Sequence, residues 1–180
     1  MQFPLLETER LNLVEVDQRY TDSFFQIMSN PTVTKYYGMD SLENQQQAKN
    51  IIHSFKRTYE SNRGIRWGIV LKESGELIGT LGLNNLNKHS KRAEIGYELN
   101  PAFWGRGMTS EAVREVLKYS FEELDLFRMG AVTFPENIAS INLLKKHGFI
   151  KEGRLRGYLY QGQQSHDAIL FSLLKTEWQR

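Results

Sequence analysis

Residues 93–112 read AEIGYELNPAFWGRGMTSEA, and this stretch decides the architecture. Ile95, Tyr97 and Leu99 alternate with Glu94, Gly96 and Glu98, the period of a strand. Asn100-Pro101 closes the strand, and Gly105 and Gly107 flank Arg106. Val113, Val116, Leu117, Phe121 and Leu124 then recur as one apolar stripe at helical spacing. The unit is strand, glycine turn and helix, with the helix beginning near Met108. The first amides of a helix lack partners and carry partial positive charge, so they attract anions. Glycines let a ligand approach that backbone closely, and Arg106 and Arg114 add charge. On the residues alone, either a tight turn or a pyrophosphate cradle fits. The Walker pattern GxxxxGK[ST] is absent, and GxGxxG fails at its third glycine, where Ser110 stands.

Upstream, alternation over Glu9–Val16 predicts a first strand. Tyr20 to Met28 and Ala48 to Tyr59 carry helical patterns, the first stopped by Asn30-Pro31. Trp67–Lys72, Leu77–Leu86 and Glu94–Leu99 form an antiparallel meander, joined by the turns Glu73–Glu76 and Lys88–Lys91. Downstream, Met129–Phe134 reads as a buried strand and Ile138–Lys146 as a helix, with Gly148 past its end. Strands around Ile150–Leu155 and Ala168–Leu174 complete the chain. The order β-α-α-β-β-β-α-β-α-β-β describes one domain over residues 1–180 of mixed α/β (α+β) type, with one parallel crossover.

The composition narrows the function. The chain has 180 residues, 23 basic against 21 acidic, and a formal charge of +2, too even for nucleic acid as the main partner. With no cysteine, thiolate nucleophiles, disulfides and zinc–cysteine sites are excluded. The histidines at 53, 89, 147 and 166 lack metal-ligand spacing, so no metal is expected. No signal-peptide pattern or membrane-length apolar run occurs, so the expectation is a cytoplasmic protein.

A second stretch, FPENIASINLLKKHGFIKEG at 134–153, places Asn137 at a helix start, ordinarily a cap. Together LETERLNLVEV, IGYELNPAFWGRGMTSEAV and NIASINLLKKHGF resemble, in order and spacing, the GNAT superfamily of acetyl-coenzyme-A-dependent N-acetyltransferases. The similarity is strongest to its ribosomal-protein N-terminal acetyltransferase branch, which also includes spermidine acetyltransferase relatives. It covers nearly the whole chain. The family signature [QR]xxGx[GA] falls on Trp104-Gly105-Arg106-Gly107-Met108-Thr109, with Gly107 matching and Trp104 and Thr109 departing from it. The resemblance implies a mixed sheet with splayed central strands and acetyl-CoA as co-substrate. It implies that the backbone of Tyr97, Glu98 and Leu99 meets the pantetheine arm. The amides from Gly105 through Ser110 would hold the pyrophosphate, and Asn137 would contact the pantetheine side.

Acetyl transfer from a thioester needs a neutral amine, a donor for the oxyanion and a proton for the departing thiolate. A backbone N–H near Tyr97 to Leu99 is the expected oxyanion donor, and no covalent enzyme intermediate is required. The resemblance makes Ser140, one turn after Asn137, the candidate proton donor; helix packing is its other reading. Glu94 and Glu98 are candidate bases, or ordinary strand glutamates. Tyr36, Tyr37, Trp67, Tyr158 and Tyr160 line an acceptor pocket or belong to the core. The expected acceptor is a protein α-amine. The alternatives are a polyamine or antibiotic amine, a non-catalytic acyl-CoA-binding domain, or a nucleotide-binding module. A homodimer is compatible with the sequence.

Overall fold

The computed structural model describes residues 2–179. Eight strands form one sheet in the order β1-β2-β3-β4-β5-β6-β8-β7. They are β1 Leu6–Glu7, β2 Leu11–Glu15, β3 Ile65–Leu71, β4 Leu77–Asn87, β5 Arg92–Leu99, β6 Arg128–Thr133, β7 Ile150–Gln161 and β8 Gln164–Leu174. The helices are α1 Thr21–Met28, α2 Pro31–Thr34, α3 Gln45–Glu60, α4 Met108–Glu122 and α5 Ile138–Lys146. All neighbouring strands are antiparallel except β5 and β6, the pair joined by the α4 crossover. This is the expected α/β architecture.

Two apolar layers sandwich the sheet. On one face the α4 stripe of Val113, Val116, Leu117 and Phe121 packs with Leu11, Leu13, Trp67, Ile69, Leu81 and Ile95. On the other, Phe24, Ile27 and Met28 of α1 and Ala48 and Ile52 of α3 cover Val16, Val70 and Leu77. Alternation along each strand assigns its residues to the two layers.

The expected elements are present with three differences. β1 is an extra strand of two residues, too short to show a period. Asn30-Pro31 ends α1 but also starts α2, because Asn30 accepts from the Thr32 N–H and Pro31 fits the first helical position. The last two strands run past Leu155 and start before Ala168, meeting at a turn where Gly162 and Gln163 both have φ 60°. That tip is largely solvent-exposed, so its polar residues hide the strand pattern. Trp67 is fully buried, stacks edge-on against Tyr119 and donates its indole N–H to the Pro4 carbonyl at 2.7 Å. It is a core residue rather than part of an acceptor pocket.

Candidate active site

The central strands part. β5 and β6 pair only at Arg92–Arg128, Ala93–Met129 and Glu94–Gly130. Beyond that point β5 keeps β4 as far as Leu99, and β6 keeps β8 as far as Thr133. Peptide groups alternate in direction along a strand. The Lys91 carbonyl accepts from Phe127 and Arg128 on the β6 side, while the Asn100 N–H donates to Ile78 on the β4 side. By this parity Tyr97 and Leu99 turn their backbone groups toward the gap, where no strand faces them. The gap opens into a cleft of about 740 Å³.

The α4 N-terminus forms one wall. Gly105 and Gly107 have φ of 72° and 77°, which favours glycine, and Gly107 is an N-cap without a side-chain cap. A Cβ on Gly105 would meet nothing within 4 Å. Gly105, Gly107, Met108, Thr109 and Ser110 line the cleft, so uncapped helix amides and open space coincide. The Ser110 hydroxyl is engaged by His147 Nε2 at 2.9 Å. Burial, with Arg114 and Lys146 nearby, holds His147 below the usual histidine range. Trp104 also lines the cleft, yet its indole N–H donates to the Leu99 carbonyl at 2.8 Å. Its polar atom is thus spent on the strand. The Arg106 guanidinium lies over the Phe103 ring at 5.5 Å and is not among the cleft-lining groups.

The α5 wall carries Asn137 and Ser140. The Asn137 side chain accepts from the Ser140 N–H at 3.2 Å, so it is a helix cap as well as a cleft residue. Ser140 Oγ lies 2.8 Å from the Tyr97 hydroxyl. Burial pushes the Tyr97 hydroxyl up to about 12, against the effect of that bond. Alternation along β5 puts Tyr97 on the face opposite Glu98, but only the fold brings a residue 43 positions away into contact.

Glu98 faces the opposite way, toward α1 and α3. It is 5% exposed, receives the Thr80 hydroxyl on Oε1, and leaves Oε2 without a hydrogen-bond partner. The Arg66 guanidinium stands 3.7 Å from Oε2, over the Phe55 ring and hydrogen-bonded to the Gly96 carbonyl and Asn84. Burial raises the Glu98 carboxyl above the usual carboxylate range, opposed by Arg66, Thr80 and Tyr37. Burial, then the Glu98 charge, raises the Tyr37 hydroxyl in turn. Arg66 and Thr80 carry no motif and sit on strands separate in sequence, so only the register identifies them.

Other expected residues lie elsewhere. Glu94 accepts from the Asn85 side chain at 3.1 Å and borders a separate depression with Arg63, Arg92 and Arg128. Four residues before Glu98 on the same strand face, it stands about 13 Å along the strand and does not line the cleft. Tyr36 and Tyr37 do line it, whereas Tyr158 and Tyr160 are exposed on the edge strand β7. The β7–β8 tip is tied to the segment after α2: Gln161 accepts from Gly38 N–H and donates to the Thr34 carbonyl, and Gly162 N–H donates to Asp40. Among the described residues no cluster of metal-ligating side chains occurs, and no helix is long and apolar enough to cross a membrane.

The sequence also matches a family model. Residues 10–150 fit the acetyltransferase (GNAT) domain. The chain belongs to the GNAT acetyltransferase family. It is an N-acetyltransferase that takes its acetyl group from acetyl-CoA and passes it to an amine. It is 44% identical over 173 residues to the uncharacterized N-acetyltransferase YoaA of Bacillus subtilis, covering 96% of this chain and 98% of that protein. It is 36% identical over 131 residues to the putative ribosomal N-acetyltransferase YdaF of the same organism, covering 73% and 70%. The ribosomal L7/L12 alpha-N-protein acetyltransferase RimL, solved with coenzyme A, superposes with a TM-score of 0.84 at 19% identity over 95% of this chain and 98% of that one. In this GNAT chain the parted strands and the α4 N-terminus border the same cleft.

Proposed function

We propose that this enzyme acetylates protein N-terminal α-amines, with Glu98 and Ser140 acting from opposite sides of the parted strands. One observation carries the reading: both side chains line the same cleft, yet Glu98 projects to the α1/α3 face and Tyr97, with Ser140, to the α4/α5 face.

The residues divide the work as follows. The amides from Gly105 through Ser110 would hold the diphosphate, and the strand edge at Tyr97 and Leu99 the amide-bearing arm, with Asn137 beside it. When bound, acetyl-CoA supplies an activated acyl carbon and a leaving thiolate. An amide on the free edge of β5 is the donor for the developing oxyanion. Glu98, with no hydrogen bond to Oε2 beyond the ion pair with Arg66 and with its carboxyl raised by burial above the usual range, accepts the proton that the amine must lose. Tyr97 has Ser140 Oγ as its only hydrogen-bond partner among the described residues. In this scheme the Tyr97 hydroxyl donates to Ser140 Oγ, and the Ser140 hydroxyl turns its own proton to the sulfur. Glu94, distant from the cleft, has no part in this scheme.

The acceptor class follows from charge and proton affinity. The cleft's carboxylates, Glu98 and Glu136, are matched by Lys35 and Lys146, which suits a singly charged terminus better than a polyamine. An α-amine has pKa of about 7.7–8.0, so roughly one in ten is neutral at pH 7, at a cost of about 1.4 kcal/mol or less. A lysine gives up about 4.6 kcal/mol to reach the same state. With a single buried base hemmed by Arg66, the easier amine is the better match.

The test is thiol release from acetyl-CoA with three acceptors: a peptide with a free N-terminus, the same peptide blocked but carrying lysine, and spermidine. The free terminus should be preferred, with a rate that levels near the α-amine pKa. Preference for lysine or spermidine would reverse the assignment.

A further inference from the structure

The cradle loop is built from residues that do not hold it still. Gly105 and Gly107 adopt left-handed φ, and glycine reaches many other conformations as readily. The peptide between Arg106 and Gly107 therefore needs an outside restraint if its N–H is to face an anion. β2 and the turn before it supply one.

Arg10 reaches the loop from 96 residues away, and its Nη1 donates to the Arg106 carbonyl at 3.0 Å. Its Nε donates to Glu111 Oε2 at 2.7 Å, and its backbone N–H to Glu111 Oε1 at 2.9 Å. The Thr8 hydroxyl donates to the same Oε1 at 2.6 Å. Glu111 sits in the first turn of α4, where its charge would otherwise compete with an anionic ligand for the helix amides. Here it is spent on Arg10 and Thr8.

No peptide bond in the structure is cis. In a trans peptide the C=O of one residue and the N–H of the next point in opposite directions. Arg10 holds the Arg106 oxygen on its own side, so the Gly107 N–H is turned away from Arg10. Gly107 lines the cleft while Arg106 does not.

We infer that Arg10, oriented by Glu111, is a positioning residue that locks the Arg106–Gly107 peptide plane in the state that receives the diphosphate of acetyl-CoA. The inference rests on the cradle assignment above. It explains why a guanidinium is used: one fork spans a carboxylate and a carbonyl at once, which a lysine ammonium does not reproduce.

The test measures KM for acetyl-CoA, kcat at saturation and CoA affinity for Arg10→Ala, Arg10→Lys and Gly107→Asp. Arg10→Ala should raise KM and Kd about tenfold while kcat falls less than threefold. Arg10→Lys, which keeps the charge and the surrounding fold, should still raise both by threefold or more. Wild-type affinity in Arg10→Lys overturns the inference, because charge alone would then suffice. So does a fall in kcat with unchanged affinity in Arg10→Ala. If Gly107→Asp retains full affinity, the cradle assignment itself fails; if it loses affinity and Arg10→Ala does not, only the brace fails.

Discussion

Tyr97→Phe deletes one oxygen and leaves the ring in place, so it isolates the Tyr97–Ser140 contact. Burial holds the Tyr97 hydroxyl at about 12, whereas a thiol titrates at about 8.5. Complete proton transfer from the tyrosine toward the sulfur would be uphill by about 5 kcal/mol. The pair therefore works by hydrogen bonding to a developing negative charge rather than by surrendering a proton outright. A hydrogen bond to a charged group contributes about 1.5–3 kcal/mol, so Ser140→Ala should slow the chemical step about 10- to 150-fold. Tyr97 acts through Ser140. Cooperative strengthening of about 10–30% per bond translates into a loss of about 1.3- to fivefold for Tyr97→Phe. The assay is single-turnover thiol release with saturating peptide, where chemistry and not product departure is observed. In the double variant the tyrosine change should add nothing beyond Ser140→Ala. If it costs the same factor with or without Ser140, or if Ser140→Ala leaves the single-turnover rate unaltered, the relay is refuted.

Gly107→Asn and Gly107→Asp separate shape from charge: asparagine tolerates a left-handed φ, so it should bind acetyl-CoA weakly, while aspartate, with a negative charge at the cradle, should not bind measurably; equal calorimetric affinities would remove the diphosphate from that loop. Glu98→Gln should lower kcat about a hundredfold, within the range of general-base catalysis. The wild-type rate should climb as pH rises through a Glu98 value displaced above 4.5, and the variant should lack that limb; a surviving limb assigns it to another group. The same carboxyl binds its proton more tightly folded than unfolded, so its contribution to stability is full below 4.5 and is lost as pH rises through the raised value. Glutamine does not titrate, and the thermal midpoint of the variant relative to wild type should improve across that window.

Periodicity made the central unit legible. Ile95, Tyr97 and Leu99 against Glu94, Gly96 and Glu98 gave both the strand and its two faces, and the two glycines marked the helix start. The β7–β8 tip was not legible because its residues from Gly157 to His166 meet solvent on most sides and need not alternate. The lining of the cleft was legible where a motif carries it, as at Gly107, Asn137 and Ser140. It was not where three-dimensional register carries it. Thr80 meets Glu98 because β4 and β5 pair at that rung, and Arg10 meets Arg106 through the packing of β2 beside α4. Glu94 and Glu98 look equivalent in sequence, and only the point at which β6 departs distinguishes them.

The divided sheet also fixes an order of birth. As the chain leaves the ribosome, β1 through β5 can assemble first, with β5 as an outer edge. The strand that pairs beside it, β6, finishes emerging about 34 residues later, a delay of about 2–7 s at about 5–20 residues per second. During that interval the backbone of β5 is an open template for mispairing with another chain. When β6 arrives it covers only the first three rungs and leaves the remainder bare. The length of edge that the finished enzyme keeps for its ligand is thus the same length that its nascent chain must keep from aggregating.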